Sequence, residues 1–286
     1  MPTSPPLPTG CVSDVTTPDT ATASPDRAGT PGTVQVLAAA RGPRTRRSLG
    51  GYLVMPAVLA AACLALYFYV SAQDLDSIEA RSLNAAALST AIGQHLQLTL
   101  VSTVLTLVVA VPLGILLTRP IARRLRPIVI TLLTLGQAIP TIAVLVLLAV
   151  AFLFLGFQAA VLGLVIYAII PVLLNTMVGL EQVDESVLEA GRGMGISKFG
   201  VLRTLELPLS VPIILAGVRT ALVINVGTAT LTTYINAGGL GDIIVAGLST
   251  NRVLVQIVGA ALTAVLALLI DYLAGVAEDF LRPKGL

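Results

Sequence analysis

Few side chains in this sequence have the type and spacing for chemistry, and two of them sit where charge is expensive. Arg219 and Asp271 lie within long apolar runs. An ionisable group in hydrocarbon pairs, faces a water-filled path or marks a functional site, so the two are expected to approach each other. The alternative is that Arg219 snorkels and Asp271 reaches water. His95 is the chain's single histidine, and Cys11 and Cys63 are its 2 cysteines. One cysteine is in a polar stretch and the other in an apolar run, so neither a metal cluster nor a disulfide framework follows. There is no G-x-x-x-x-G-K-[ST] phosphate loop, and "GRGMG" at 191–195 follows no strand and lacks dinucleotide spacing. No catalytic residue, metal or cofactor of the chain's own is expected. What stands out is a polar, glycine-rich stretch between apolar runs, "EAGRGMGISKFGVLRTLELPLS" at 189–210.

The elements around that stretch are membrane helices. Hydrophobic residues make up 56% of the chain and charged residues 11%, against about 25% charged in soluble domains. Only self-satisfied helices and closed barrels cross lipid, and uninterrupted apolar runs indicate helices. Six spans are expected, near 52–71, 94–118, 127–155, 159–180, 209–233 and 253–277. The third is long, and Pro140 within "GQAIPT" removes a helix hydrogen bond, so it is expected to be kinked or broken. Residues 1–50 are rich in Pro, Thr, Ser, Ala and Gly and are expected to be a disordered cytoplasmic tail, leaving 51–286 as the membrane domain. The tail's cluster Arg41, Arg44, Arg46 and Arg47 reads as an orientation signal rather than a nucleic-acid arm.

Basic residues orient the chain. Arg119, Arg123, Arg124 and Arg126 follow span two; Arg192, Lys198 and Arg203 lie between spans four and five; Arg282 and Lys284 close the chain. The alternate loops are poor in Lys and Arg, so both termini and the 189–207 loop are expected in the cytoplasm. Tyr52, Tyr67, Tyr69, Tyr234 and Tyr272 fall near span ends, where interfacial aromatics belong.

Locally the loop reads as helix, glycine turn, helix. Ser186 and Glu189 fit a capping box, Gly195 a left-handed stop and Ser197 a second cap. Pro208 is expected to disfavour helix at Leu207 and to open span five. Met194, Ile196, Phe199, Val201 and Leu202 place apolar surface on a segment facing water, which points either to docking or to packing on the chain's own membrane domain.

The loop resembles the "EAA" loop of permease subunits of binding-protein-dependent ABC importers. Here it reads Glu189-Ala190-Gly191, three residues, Gly195, nine residues, Leu205-Glu206-Leu207-Pro208. Gly191 replaces that family's Ala, and Leu205 its Ile. The resemblance implies an all-α membrane fold with six transmembrane helices and a type I, methionine-permease-like core. It also implies that Glu189, Ala190, Gly191, Gly195, Ile196, Phe199, Leu202, Leu207 and Pro208 seat in a separate ATPase subunit. ATP and Mg would then sit on that ATPase, with a second permease and an extracytoplasmic solute-binding protein as further partners in the inner membrane.

Four stretches resemble the osmoprotectant branch, which imports glycine betaine, carnitine, choline or related solutes: 95–119, 136–148, 167–180 and 217–244, the last with "GTAT" and the "GGLG" turn. Gln137, Pro140, Asn175, Asn225, Thr228 and Thr230 are candidates to line the path, although Gly217, Gly227 and Ala229 beside them permit close helix packing instead. Gly238, Gly239 and Gly241 suit a tight re-entrant turn near the outer mouth. Quaternary ammonium is commonly held by aromatic cages, and this chain has no Trp. A permease for another small solute such as methionine, and an ATP-independent secondary transporter, are the alternatives.

Overall fold

A computed structural model describes residues 49–281, and all regular structure among them is helical. The order is α1 (Leu49–Ser71), α2 (Ser77–Ser82), α3 (Ala85–Thr118), α4 (Arg126–Ala138), α5 (Thr141–Ala151), α6 (Phe157–Glu181), α7 (Glu185–Gly193), α8 (Lys198–Val201), α9 (Leu207–Ala229), α10 (Leu240–Ser249) and α11 (Val253–Leu281). Of the expected tail only Leu49 and Gly50 are described, and they already belong to α1. The rest of it, with Arg282 and Lys284, lies outside the described residues.

Five helical runs are long and apolar enough to cross a membrane, and α4 with α5 makes a further pair bent by 87°. That pair crosses once. Arg126, opening α4, pairs with Glu181 at the end of α6. Beyond α5, Gly156 N–H donates at 2.8 Å to Ile235 O, which ends the 3-10 segment Thr230–Ile235 that continues α9. The two halves therefore approach opposite ends of the bundle, which gives six crossings. Pro140 caps α5, and the break is stapled to α6: Gln137 Nε2 donates to Tyr167 O at 2.6 Å, and the Tyr167 hydroxyl donates to Ile139 O.

α6 is the central helix, packed against α3, α4, α5 and α9. Leu164, Ala168, Val172, Leu173 and Met177 along it are almost fully buried. Close approach needs small residues at the crossings. A Cβ on Gly217 would meet Pro171 O and Asn175 Cβ at 2.7 Å, and one on Gly179 would meet Ser210 Cβ at 3.1 Å. Gly227 differs from expectation: nothing lies within 4 Å of its Cβ position, so it packs against no helix among the described residues. α1 is peripheral and is tied near its start, where the Tyr272 hydroxyl donates to Tyr52 O at 2.8 Å and the Tyr52 hydroxyl to Asp279 Oδ2 at 3.2 Å. These two tyrosines join α1 to α11.

Two sequence expectations fail at the entry to the fifth crossing. Helix runs without interruption from Lys198 to Ile235, and Leu207 is helical, with φ −63° and ψ −50°. A π turn over Leu202–Glu206 absorbs the proline: Leu207 N–H bonds to Leu202 O, five residues back, so the wider turn accommodates a residue without an N–H. Helix α7 starts earlier than the expected capping box, because Asp184 caps it, accepting from Ser186 N–H at 2.9 Å. That bond also holds the Asp184 carboxyl below its ordinary value.

Helix contact makes a sharp prediction. Gly217→Ala forces α6 and α9 apart and should lower the thermal unfolding midpoint of the purified protein, at a cost of about 2 kcal/mol. Gly93→Ala, on an exposed helical position with open space around it, should leave the midpoint unchanged or raise it. Equal effects would contradict the packing described here.

Candidate functional site

The loop at 185–206 is a helical hairpin whose turn is fixed by backbone bonding. Gly195 has φ +83°; its N–H donates to Arg192 O at 2.9 Å, and Ile196 N–H reaches back to Gly191 O at 3.2 Å. This double bond pattern is a Schellman stop, which needs the left-handed residue that glycine supplies without strain. Ser197 then caps the second helix, accepting from Gly200 N–H at 3.2 Å. The hairpin closes on itself through Leu188, Gly191 and Val201, all buried. Its outer face carries Met194 and Phe199, 74% and 72% exposed. Glu189, Ala190, Gly195 and Pro208 are exposed, and Ile196, Leu202 and Leu207 are half-buried.

The two departures from the family pattern touch each other. A Cβ on Gly191 would lie 2.6 Å from Leu205 Cδ1. Leucine extends its methyl into the space an alanine methyl would fill, so glycine at 191 and leucine at 205 are one packing solution.

The hairpin is fastened to the membrane helices by charge. Arg119, just past α3, donates through both guanidinium arms to the two carboxylate oxygens of Glu206, whose side chain is nearly buried. Farther along α9, Arg219 meets Asp271 of α11 through two contacts of 2.5 Å. Glu278, one heptad beyond Asp271, approaches the same guanidinium at 4.0 Å. Gly275 makes the room, since a Cβ there would lie 3.3 Å from Arg219 Nη1. Glu278 was not foreseen in the sequence; its position seven residues after Asp271, on the same helix face, was the available signal.

The structure does not gather the path candidates at one point. Asn225 is fully buried and donates to Thr103 Oγ1 at 2.9 Å; it bridges α3 and α9 inside the chain and lines no open surface. Asn175 donates to Pro171 O, Thr228 to Ile224 O and Thr230 to Gly227 O, each within its own helix. Gln137 and Pro140 sit at the α4–α5 break.

At the other end of the bundle the GGLG turn docks on α3. Gly239 N–H donates to Gln94 Oε1 at 3.1 Å, and Leu240 N–H to His95 Nδ1 at 3.2 Å. His95 Nε2 lies 3.0 Å from Val226 O. Since Nδ1 accepts, the ring proton is on Nε2 and is donated to that carbonyl. Gly238 and Gly239 have φ +81° and +107°, and a Cβ on Gly238 would lie 2.4 Å from Gln94 Oε1. A Cβ on Gly241 would lie 2.1 Å from Thr230 O. The buried tie made by His95 was missed in the sequence, where its only signal was a polar pair, Gln94-His95, opening an apolar run.

Residues 110–284 match the family described as binding-protein-dependent transport system inner membrane component, and the chain belongs to that family. It is 39% identical over 194 residues to the glycine betaine/carnitine/choline transport system permease protein OpuCB of Bacillus subtilis (strain 168), covering 68% of this chain and 88% of that protein. It is 40% identical over 191 residues to the carnitine transport permease protein OpuCD of Listeria monocytogenes serotype 1/2a (strain 10403S), covering 66% and 84%. Among solved structures, a chain of the MetNI methionine ABC transporter in an inward-facing conformation aligns with a TM-score of 0.60 at 25% identity, covering 68% of this chain and 96% of that one. The protein is thus an all-helical inner-membrane transport component with a type I importer core.

Two outcomes are expected. Arg219→Leu removes the cation that faces Asp271 and Glu278 and should destabilise the purified protein by roughly 3 kcal/mol, while Arg219→Leu combined with Asp271→Leu should cost less. Gly191→Ala should cost about 1 kcal/mol, and adding Leu205→Ile should recover most of it. Additive losses in thermal unfolding would refute the contact in either pair.

Proposed function

We propose that this chain is the permease subunit of an ATP-driven importer for osmoprotectants: glycine betaine, carnitine, choline or related compatible solutes. The observation that carries the transport reading is the stiff hairpin, apolar on its outer face and tied by Arg119 and Glu206 to the membrane helices. Such an element can convert the movement of a docked subunit into movement of spans. The solute class draws support from relatives near 40% identity named for those solutes. The methionine reading has the structural likeness in its favour, but at 25% identity.

In this reading Glu189, Ala190, Gly191, Gly195, Ile196, Phe199, Leu202, Leu207 and Pro208 form the contact with a separate ATPase, which holds ATP and Mg. Two permease subunits enclose the path, and a solute-binding protein delivers solute from outside. Both termini and the tail at 1–50 are cytoplasmic. ATP binding opens the path outward, and hydrolysis resets it. The permease makes and breaks no covalent bond.

Uptake of labelled glycine betaine at raised external salt tests this, in cells expressing the chain with its ATPase and binding protein. Because Gly195 is left-handed, Gly195→Val should abolish uptake with the protein still in the membrane. Gly195→Asn, which tolerates that conformation, should retain a substantial part of it. An ATP-hydrolysing complex that moves no betaine would discard the solute. Uptake without any ATPase would discard the importer.

A further inference from the structure

Helix α10 opens without a side-chain cap of its own, since Gly239 stands at its N-cap. Its first N–H groups are satisfied from α3 instead: Gly239 N–H by Gln94 Oε1, and Leu240 N–H by the lone pair on His95 Nδ1. The other ring nitrogen donates to Val226 O, so the imidazole holds both bonds only while it is neutral. It is fully buried, and a Cβ on Gly239 would lie 3.1 Å from Nδ1. Protonation removes the lone pair and sets one N–H against another. It also puts a cation at the positive end of the α10 dipole. An imidazolium released into water suffers neither penalty.

No other charge is bonded to the ring among the described residues, since both of its bonds are to backbone. Helices α2, α6, α9 and α10 pack against α3. Of these, α2 carries Glu79 and Arg81 and α10 carries Asp242. Glu79 accepts from Asp76 N–H, Asp242 from the Thr233 hydroxyl, and Asp76 pairs with Arg252. α6 has no charged residue before Glu181, α9 none after Arg219, and α11, behind α10, none before Asp271. The phenols at this end are Tyr167 and Tyr234. His95 lies roughly 36 Å before Arg119 along α3. That exceeds the roughly 30 Å hydrocarbon core measured from the basic end, so protons in solution reach this end of the bundle.

We propose that His95 is a proton-operated latch: acid at this end of the bundle releases the GGLG turn and the start of α10 from α3. The release follows from the ring and the turn, whichever solute the chain moves. That this end faces outside rests on the orientation proposed above. A released imidazole in water titrates near pH 6.5, whereas the docked ring loses its bond to Leu240 on taking a proton. Docking is therefore full above that pH and weakens as pH falls below it, by up to about tenfold per pH unit.

Hydrogen–deuterium exchange of the assembled complex in lipid nanodiscs tests the latch, because both faces then share one pH and the result is independent of orientation. From about pH 7.5 to about pH 5.5, exchange of the 237–243 amides, corrected for the chemical exchange rate, should rise about tenfold. Helix α7 contains no histidine and should show no such rise. His95→Asn offers an amide oxygen in place of Nδ1 that does not titrate, and it should abolish the rise. Unchanged corrected exchange in the wild type refutes the latch, even where His95→Asn does not assemble. A rise of equal size in α7 or in His95→Asn refutes it too. The uptake experiment above bears on the solute and the ATPase, so either result can fail without the other.

Discussion

The two-armed pair between Arg119 and Glu206 sets the mechanical character of the molecule. Glu206 is nearly buried at the start of an apolar helix, where an uncompensated carboxylate would be costly. Its partner comes from the end of a different crossing, so the pair stitches α3 to the π turn that joins the hairpin to α9. With that turn helical rather than broken, Lys198–Ile235 is one unbroken helical run. Its lower part is fixed to α3 by Arg119 and to α11 by Arg219. In the proposed mechanism, displacement of the hairpin is delivered to three crossings together.

At the opposite end backbone donors make the central ties, with an ion pair between Arg252 and Asp76 beside them. The glycine turn offers two N–H groups to Gln94 and His95 of α3, while His95 also donates to α9. One imidazole thus connects three segments, and its neutral tautomer satisfies both bonds. Below it on α3 run Thr99, Ser102, Thr103 and Thr106, all buried. Ser102 and Thr106 donate to their own helix, and Thr103 receives Asn225. Within this polar seam the bond from Asn225 to Thr103 ties α9 to α3 in one register, which greasy side chains alone would leave unspecified.

The apolar runs, their interruption at Pro140 and the alternation of basic loops were enough to place the six crossings, because those features are local and each carries its own physical cause. The hairpin was legible for the same reason, down to the glycine at its left-handed stop. Pairings across the chain were not. Gln94 and Gly239 are separated by 145 residues, and periodicity carries no information about which faces meet. Asn225 shows the consequence: a polar residue in a span reads as path-lining until the facing Thr103 is known. The π turn was hidden because proline's local rule, a boundary before it, is correct for an α-helix and relaxed by one extra residue per turn. The short helix α10 was overlooked because ten residues cannot cross a bilayer, and the turn before it was the louder signal.

How the hydroxyls of α9 are used bears on what kind of route this is. Thr228 and Thr230 donate to carbonyls of their own helix, as Asn175 does on α6. A solute passing them would have to displace an intrahelical bond to gain a new one, so the exchange yields little net free energy. The chain also has no tryptophan for an aromatic cage. In the proposed reading, a route past such committed groups holds its cargo weakly, which suits release on the far side and leaves discrimination to the solute-binding protein. The proposed division of labour, with selection outside, energy from a docked ATPase and a permease that only changes shape, agrees with polar groups of this chain that are already committed to their own helices.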